Sequence, residues 1–210
     1  MTNRWQTETV PPYRDVAEFN DRARSYDHGW RGRVHHQIAD RTASLAVATV
    51  AAPNRVLDLG CGTGYLLRTL AGRYPDAVQL VGIDAAPEMA KTANAVTHDD
   101  RLTFAVGVAE HIDYPAETFD LIVSTTSFDH WSDQQAGLLE CARVLRPGGR
   151  LVLVDQFSSW LLPTMLTSRR GKARTRRRAT RLLRGAGFDS PHWHRLYAVI
   201  INAVTATKPA

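Results

Sequence analysis

Cysteine is scarce in this chain. Of the 210 residues two are cysteines, Cys61 and Cys141. They fall in different predicted elements with no ligand-type neighbours at metal spacing, so neither a disulfide nor a zinc or other metal site is expected. Long apolar runs are missing too. Nothing approaches the roughly 18 residues of a membrane span, and the polar residues 1–6 lack the apolar region of a secretory signal. These absences predict a cytoplasmic chain without a membrane span.

Acidic residues are missing from one stretch. Residues 169–184 hold nine of the 26 lysines and arginines and no acid, while the remaining 17 meet 21 acidic residues, so the formal charge of +5 is a local feature. Within the run Thr175, Ala179, Leu182, Leu183 and Ala186 recur at helical spacing, and Gly187 follows where a helix stops. No aromatics interleave the arginines as base stacking requires. The run therefore reads as the solvated face of a helix, with recruitment of a polyanion kept as the alternative. One composition throughout and no internal repeat make the chain one domain.

What the chain does have is glycine at alternate positions. Val56-Leu-Asp-Leu-Gly-Cys-Gly-Thr-Gly-Tyr-Leu66 reads as strand, tight loop and helix, and its glycines let a ligand lie against the main chain. The dinucleotide fingerprint needs a glycine at position 65, where Tyr65 stands, and no Lys-Ser/Thr pair follows as in a phosphate loop. Asp84 ends the next apolar run, an offset that suits the hydroxyls of a ribose lying over the glycine loop.

At these residues the chain resembles the class I methyltransferases that use S-adenosyl-L-methionine, in particular small-molecule enzymes of the UbiE-like type. Four elements carry the resemblance in the family's order: Val56–Leu66, Val81-Gly-Ile-Asp84 with Pro87-Glu-Met89, Phe119-Asp-Leu-Ile-Val-Ser124, and Leu145-Arg-Pro-Gly-Gly-Arg-Leu-Val152. It implies an α/β, Rossmann-like fold with a seven-stranded, mostly parallel sheet whose last strand is antiparallel, and helices on both faces. Strands are expected near 55–59, 78–83, 102–106, 119–124, 150–155, 192–197 and 201–207, and helices over 63–72, 87–96 and 133–145. Ser132 with Gln135 fits a capping box, Pro87 a first helical position, and Arg146-Pro-Gly-Gly149 a turn. Residues 1–52 read as an N-terminal helical cap over the site and 53–210 as the methyltransferase domain. In that cap Val16, Phe19, Ala23, Tyr26 and Trp30 line one helix, Gly29 and Gly32 bend the chain, and Val34, Ile38, Thr42 and Leu45 face inward from a second.

The resemblance also implies where the cofactor lies. It assigns Asp58 to the ammonium end, Gly60, Cys61, Gly62 and Gly64 to the loop, and Asp84 with Ala85 to the ribose. Met89, Ala109 and Glu110 go to the adenine, Tyr26 with Asp27 to the methionine end, and Ser124 to the remaining wall. Val108 stands where relatives place an aspartate for the adenine amino group. His130, at the carboxyl edge after the fourth strand, is the candidate base. His28, His35 and His36 read as surface or pocket-lining residues. The expected activity is methyl transfer to oxygen, nitrogen or carbon of a small-molecule acceptor by a monomer or homodimer, with nucleic acid disfavoured. The alternatives are an RNA or protein methyltransferase recruited by the basic run, and a cofactor-binding protein without turnover.

Overall fold

The structure is a computed structural model and describes residues 15–157, 175–198 and 200–210. Seven strands are present: β1 (Arg55–Leu59), β2 (Gln79–Asp84), β3 (Leu102–Val106), β4 (Phe119–Thr125), β5 (Leu145–Asp155), β6 (Asp189–Tyr197) and β7 (Ile201–Thr207). They form one sheet in the order β3-β2-β1-β4-β5-β7-β6. The pairs among β1 to β5 are parallel, and β7 runs antiparallel to both β5 and β6. The expected architecture, with its reversed last strand, is therefore present. The apolar run of β4 follows from its place: Leu121, Ile122 and Val123 are fully buried because helices cover both faces.

One face carries α2 (Gly29–Thr49) and α3 (Tyr65–Arg73), whose Ala43, Ala46, Leu67 and Leu70 pack with Val56, Leu121 and Val152. The other carries α5 (Gln134–Val144) and α6 (Arg176–Gly185), with Leu138, Val144, Ala179 and Leu183 against Ile122, Leu151 and Val204. Each large aliphatic side chain buried this way contributes about 1.5–3 kcal/mol. Between them α4 (Pro87–Ala95) starts on Pro87 and follows β2. Among the described residues no helix is long and apolar enough to cross a membrane.

Three local readings need correction. The N-cap of α5 is Asp133, whose carboxylate accepts from the Gln135 and Ala136 amides, so the Ser132 capping box does not form. Arg146-Pro-Gly-Gly149 is the irregular beginning of β5, where the register against β4 shifts and Lys208 exchanges backbone bonds with Gly148 and Gly149. In the cap, α1 (Val16–Arg22) and a 3₁₀ turn at Ala23–Ser25 are followed by one long helix starting at Gly29. Gly32 lies inside that helix, where a Cβ would sit 2.3 Å from the Asp27 backbone, and Trp30, expected on the inner side, is 65% exposed.

The apolar stripe of the basic helix is as expected. Thr175 caps α6 by accepting from the Arg178 amide, and Gly187 at φ +85° ends it. Arg177, Arg181 and Arg184 face solvent. Arg176 is exposed as well but folds back on the sheet: its guanidinium donates to Asn202 Oδ1 at 2.6 Å and lies 5.4 Å from the Trp193 ring centroid. The part of the run at 169–174 lies outside the described residues. In urea unfolding, Leu183→Ala is expected to cost about 2–5 kcal/mol and Arg176→Ala about 1–3 kcal/mol, through the buried Asn202 oxygen it strands. Arg177→Gln with Arg181→Gln should leave the midpoint unchanged.

Candidate active site

In an open parallel sheet a crevice forms where the strand order reverses, here beside β1 and β4. The glycine loop lies over the end of β2. The Gly60 and Cys61 amides both donate to Ile83 O, at 2.8 and 3.1 Å, and the Gly62 amide donates to Asp84 Oδ2 at 2.8 Å. Gly60 has to be glycine: its φ is +73°, and a Cβ would come within 2.3 Å of Ser127 Cβ. Gly62, at φ +53°, faces open space bounded by the Tyr26 ring at 3.9 Å, so a ligand can reach the main chain.

The resulting cleft has two lobes that share Tyr26, Gly60, Gly62, Thr125 and Thr126. The larger, about 740 Å³, is walled by Asp84, Ala85, Met89, Val108, Ala109 and Trp131 and roofed by Asp15, Val16 and Phe19 of the cap, with His130 at its side. The smaller, about 440 Å³, holds Asp58, Cys61, Thr63 and Tyr65 and the cap residues Asp27, His35 and His36. Both adjacent histidines thus line the same lobe. His35 stacks on Tyr26 at 4.9 Å, and His36 stacks on Tyr65 at 3.7 Å while its Nε2 pairs with Asp27 Oδ1 at 3.0 Å.

Electrostatics single out Asp58. It is buried, among the described residues its Oδ2 has no hydrogen-bond partner, and burial, reinforced by the nearby Asp84, raises its pKa to about 8. Asp84 is raised by burial too, against which work the amides of Ala86 and Gly62 and the His130 ring. Burial pushes the Tyr26 phenol up to about 12 and the Cys61 thiol well above its usual range, so neither ionises near neutral pH. His130 Nδ1 lies 2.7 Å from Asp15 Oδ2.

Of the residues singled out from sequence, Tyr26, Asp58, Gly60, Cys61, Gly62, Asp84, Ala85, Met89, Ala109 and His130 line the cleft. Gly64, Glu110 and Ser124 do not. Gly64 opens α3 with its missing Cβ against the Phe104 ring, and Glu110 accepts from the Asp133 amide. Ser124 Oγ bonds Ser127 Oγ, which donates in turn to Leu59 O. Sequence reasoning passed over Asp15, Phe19, Thr126 and Trp131. Thr126 is a β-branched residue at φ +54°, a conformation that costs roughly 1–3 kcal/mol and concentrates at functional sites.

Residues 57–153 match the family model described as a methyltransferase domain. They form a methyltransferase domain, in the fold of the class I S-adenosylmethionine-dependent enzymes. A demethylmenaquinone methyltransferase of Deinococcus radiodurans is 37% identical over 131 residues, 61% of this chain and 50% of its own length. A malonyl-[acyl-carrier protein] O-methyltransferase of Geobacter sulfurreducens is 37% identical over 59% of this chain and 46% of its own. The chain thus spans about half the length of these curated relatives. In fold, a chain from the complex of the Haloferax volcanii Trm112 methyltransferase activator with a methyltransferase superposes with TM-score 0.75 at 20% identity, covering 97% of this chain and 100% of that one.

The methyltransferase domain has the features that its cofactor demands. The unpartnered Asp58 oxygen suits an ammonium, Asp84 suits ribose hydroxyls, and Met89, Val108, Ala109 and Trp131 offer apolar surface to a purine. Val108 cannot accept from the adenine amino group, which leaves backbone for that task.

Asp58 makes the fit testable. Because the folded pKa of about 8 exceeds the ordinary 3.8, the free protein loses stability as pH rises between these values. A cationic ligand reverses the preference. Calorimetry at pH 7 in buffers of different ionisation enthalpy should therefore show release of about one proton per S-adenosylmethionine bound, and Asp58→Asn should abolish it.

Proposed function

We propose that this chain transfers the methyl group of S-adenosylmethionine to a small-molecule acceptor held in the larger lobe beneath α1. The observation that carries the reading is the pairing of a glycine-lined main chain with a buried carboxyl whose oxygen has no partner. When bound, the cofactor supplies an electrophilic methyl carbon and keeps the electron pair of the broken carbon–sulfur bond on sulfur. The protein's task is alignment, worth up to roughly 7–11 kcal/mol in favourable cases.

In this reading Asp58 pairs with the ammonium and Gly60 and Gly62 let the chain pass close. Asp84 accepts from the ribose with lone pairs left over from its two backbone bonds. Met89 and Trp131 flank the purine, and α1 with the 3₁₀ turn keeps water from the reacting atoms. His130 takes the proton of an acceptor that must lose one. A small acceptor is supported by the roof that Val16, Phe19 and Tyr26 place over the cleft, and by the relative named for demethylmenaquinone. Two free thiols fit a cytoplasmic setting.

Recruitment of a larger substrate through α6 would draw on Arg177, Arg181 and Arg184, but Arg176–Gly185 carries no aromatic side chain for stacking. The non-catalytic alternative would bind the cofactor and yield no methylated product with any acceptor.

Titration calorimetry decides the cofactor: S-adenosylmethionine and its demethylated product bind, and NAD does not. Affinity for NAD with none for the sulfonium would refute the assignment. Asp84→Ala should weaken binding of the demethylated product by about 1–3 kcal/mol, and unchanged affinity would mean that the ribose is held elsewhere.

A further inference from the structure

We propose that Asp15, carried by the N-terminal cap, is the positioning residue that fixes the tautomer of His130 and so makes its Nε2 the proton acceptor of the cleft. The proposal rests on the reading of the cleft as a methyl-transfer site. Asp15 stands at the N-cap of α1, where an aspartate ordinarily accepts from the first-turn amides. Here it makes no such side-chain bond. Its Oδ2 lies instead 2.7 Å from Nδ1 of His130, a residue 115 positions away in the chain. One turn further along α1, Phe19 meets the same imidazole edge-on, with centroids 5.1 Å apart and planes at 87°. The cap helix therefore grips this ring at two points, and Asp15, Phe19 and His130 all line the larger lobe.

The surrounding carboxyl groups do not compete for the ring. Asp155 is buried and Asp84 half-buried, and both feel the charge of His130. Asp84 is bonded to the amides of Gly62 and Ala86, and Asp155 to those of Asp129 and Gln156. Among the described residues, Asp15 is the carboxylate hydrogen-bonded to the imidazole.

An ionised carboxylate is an acceptor only, so the hydrogen between Asp15 and His130 belongs to Nδ1. A neutral ring with its hydrogen on Nδ1 carries its lone pair on Nε2. Among the described residues Nε2 has no hydrogen-bond partner. In the transfer, a lone pair on oxygen or a π pair on carbon of the acceptor joins the methyl carbon as the carbon–sulfur pair leaves on sulfur. The proton of the acceptor's O–H or C–H bond passes to Nε2 while that bond's electron pair stays on the acceptor. The resulting imidazolium is stabilised by the Asp15 carboxylate through the hydrogen bond already in place, and then returns the proton to water. Of this dyad the methyltransferase domain supplies the base and the cap supplies the group that orients it. The base is assembled only when α1 is docked.

The tautomer can be read without knowing the acceptor. The full chain, labelled with ¹⁵N-histidine, is measured by long-range ¹H–¹⁵N correlation at alkaline pH, where imidazoles are neutral. The His130 pattern among the eight histidines is assigned by its loss in His130→Gln. The expected pattern is a protonated Nδ1 and a bare Nε2, opposite to the preference of an isolated imidazole. Asp15→Leu should convert the major species to the Nε2–H form, and Asp15→Asn, whose amide oxygen can accept the same bond, should keep the wild-type pattern. A dominant Nε2–H form in the wild-type protein, or an Asp15→Leu spectrum identical to wild type, overturns the proposal. The wild-type spectrum decides alone if Asp15→Leu does not fold. Failure of the methyl-transfer reading would show separately, as absent affinity for S-adenosylmethionine in calorimetry.

Discussion

The Asp84 carboxylate holds the site together. One oxygen accepts from the Gly62 amide of the glycine loop and the other from the Ala86 amide just before α4. Beside it Ile83 O accepts from Gly60 and Cys61. The loop after β1 and the turn after β2 thus share one anchor at the sheet edge. The cap depends on it at one remove, since Asn20 Oδ1 caps the Glu88 amide of α4 and Val16, Phe19 and Tyr26 pack on Ala86 and Met89. Burial disfavours the charge on Asp84 and the amide bonds restore part of it, so the anchor is a carboxylate stabilised by the backbone it organises.

Against this well-bonded anchor, other residues at the cleft carry a cost. Asp58 keeps a buried oxygen without a partner among the described residues, and Thr126 holds a backbone conformation that β-branched residues avoid. A chain selected for stability alone would relieve both. Their cost is met by the sheet core, where Leu57, Leu121, Ile122 and Leu153 are fully buried, and both residues line the cleft.

Much of the architecture was legible because its signals are local. The strands β1, β3 and β7 begin and end where alternation and apolar runs place them, and α4 starts on Pro87. The misread points are those where a distant contact decides. Trp30 fits a helical stripe in sequence, yet the chain breaks at Gly29 and turns that side chain outward. Asp133 outcompetes Ser132 as a cap because its carboxylate reaches two amides. The cleft follows the same rule. The glycine loop, Asp84, Met89 and His130 announce themselves by spacing, whereas Gly64, Glu110 and Ser124 turn to packing and loop bonds that spacing does not encode. Asp15 carried no motif at all, since its meaning comes from a partner on the far side of the fold.

The sheet order constrains how the molecule is made. Strand β6 precedes β7 in the chain but lies outside it, and its ladder partner is β7, which also pairs with β5. On a ribosome, β1 to β5 can zip together as they emerge. In contrast, one edge of β5 stays unpaired until Ile201–Thr207 has been synthesised. Strands β6 and β7 can pair locally as a hairpin, but docking that hairpin on β5 joins distant parts of the chain and is slow compared with local pairing. Until it docks, β5 presents an open strand edge, a template for aggregation.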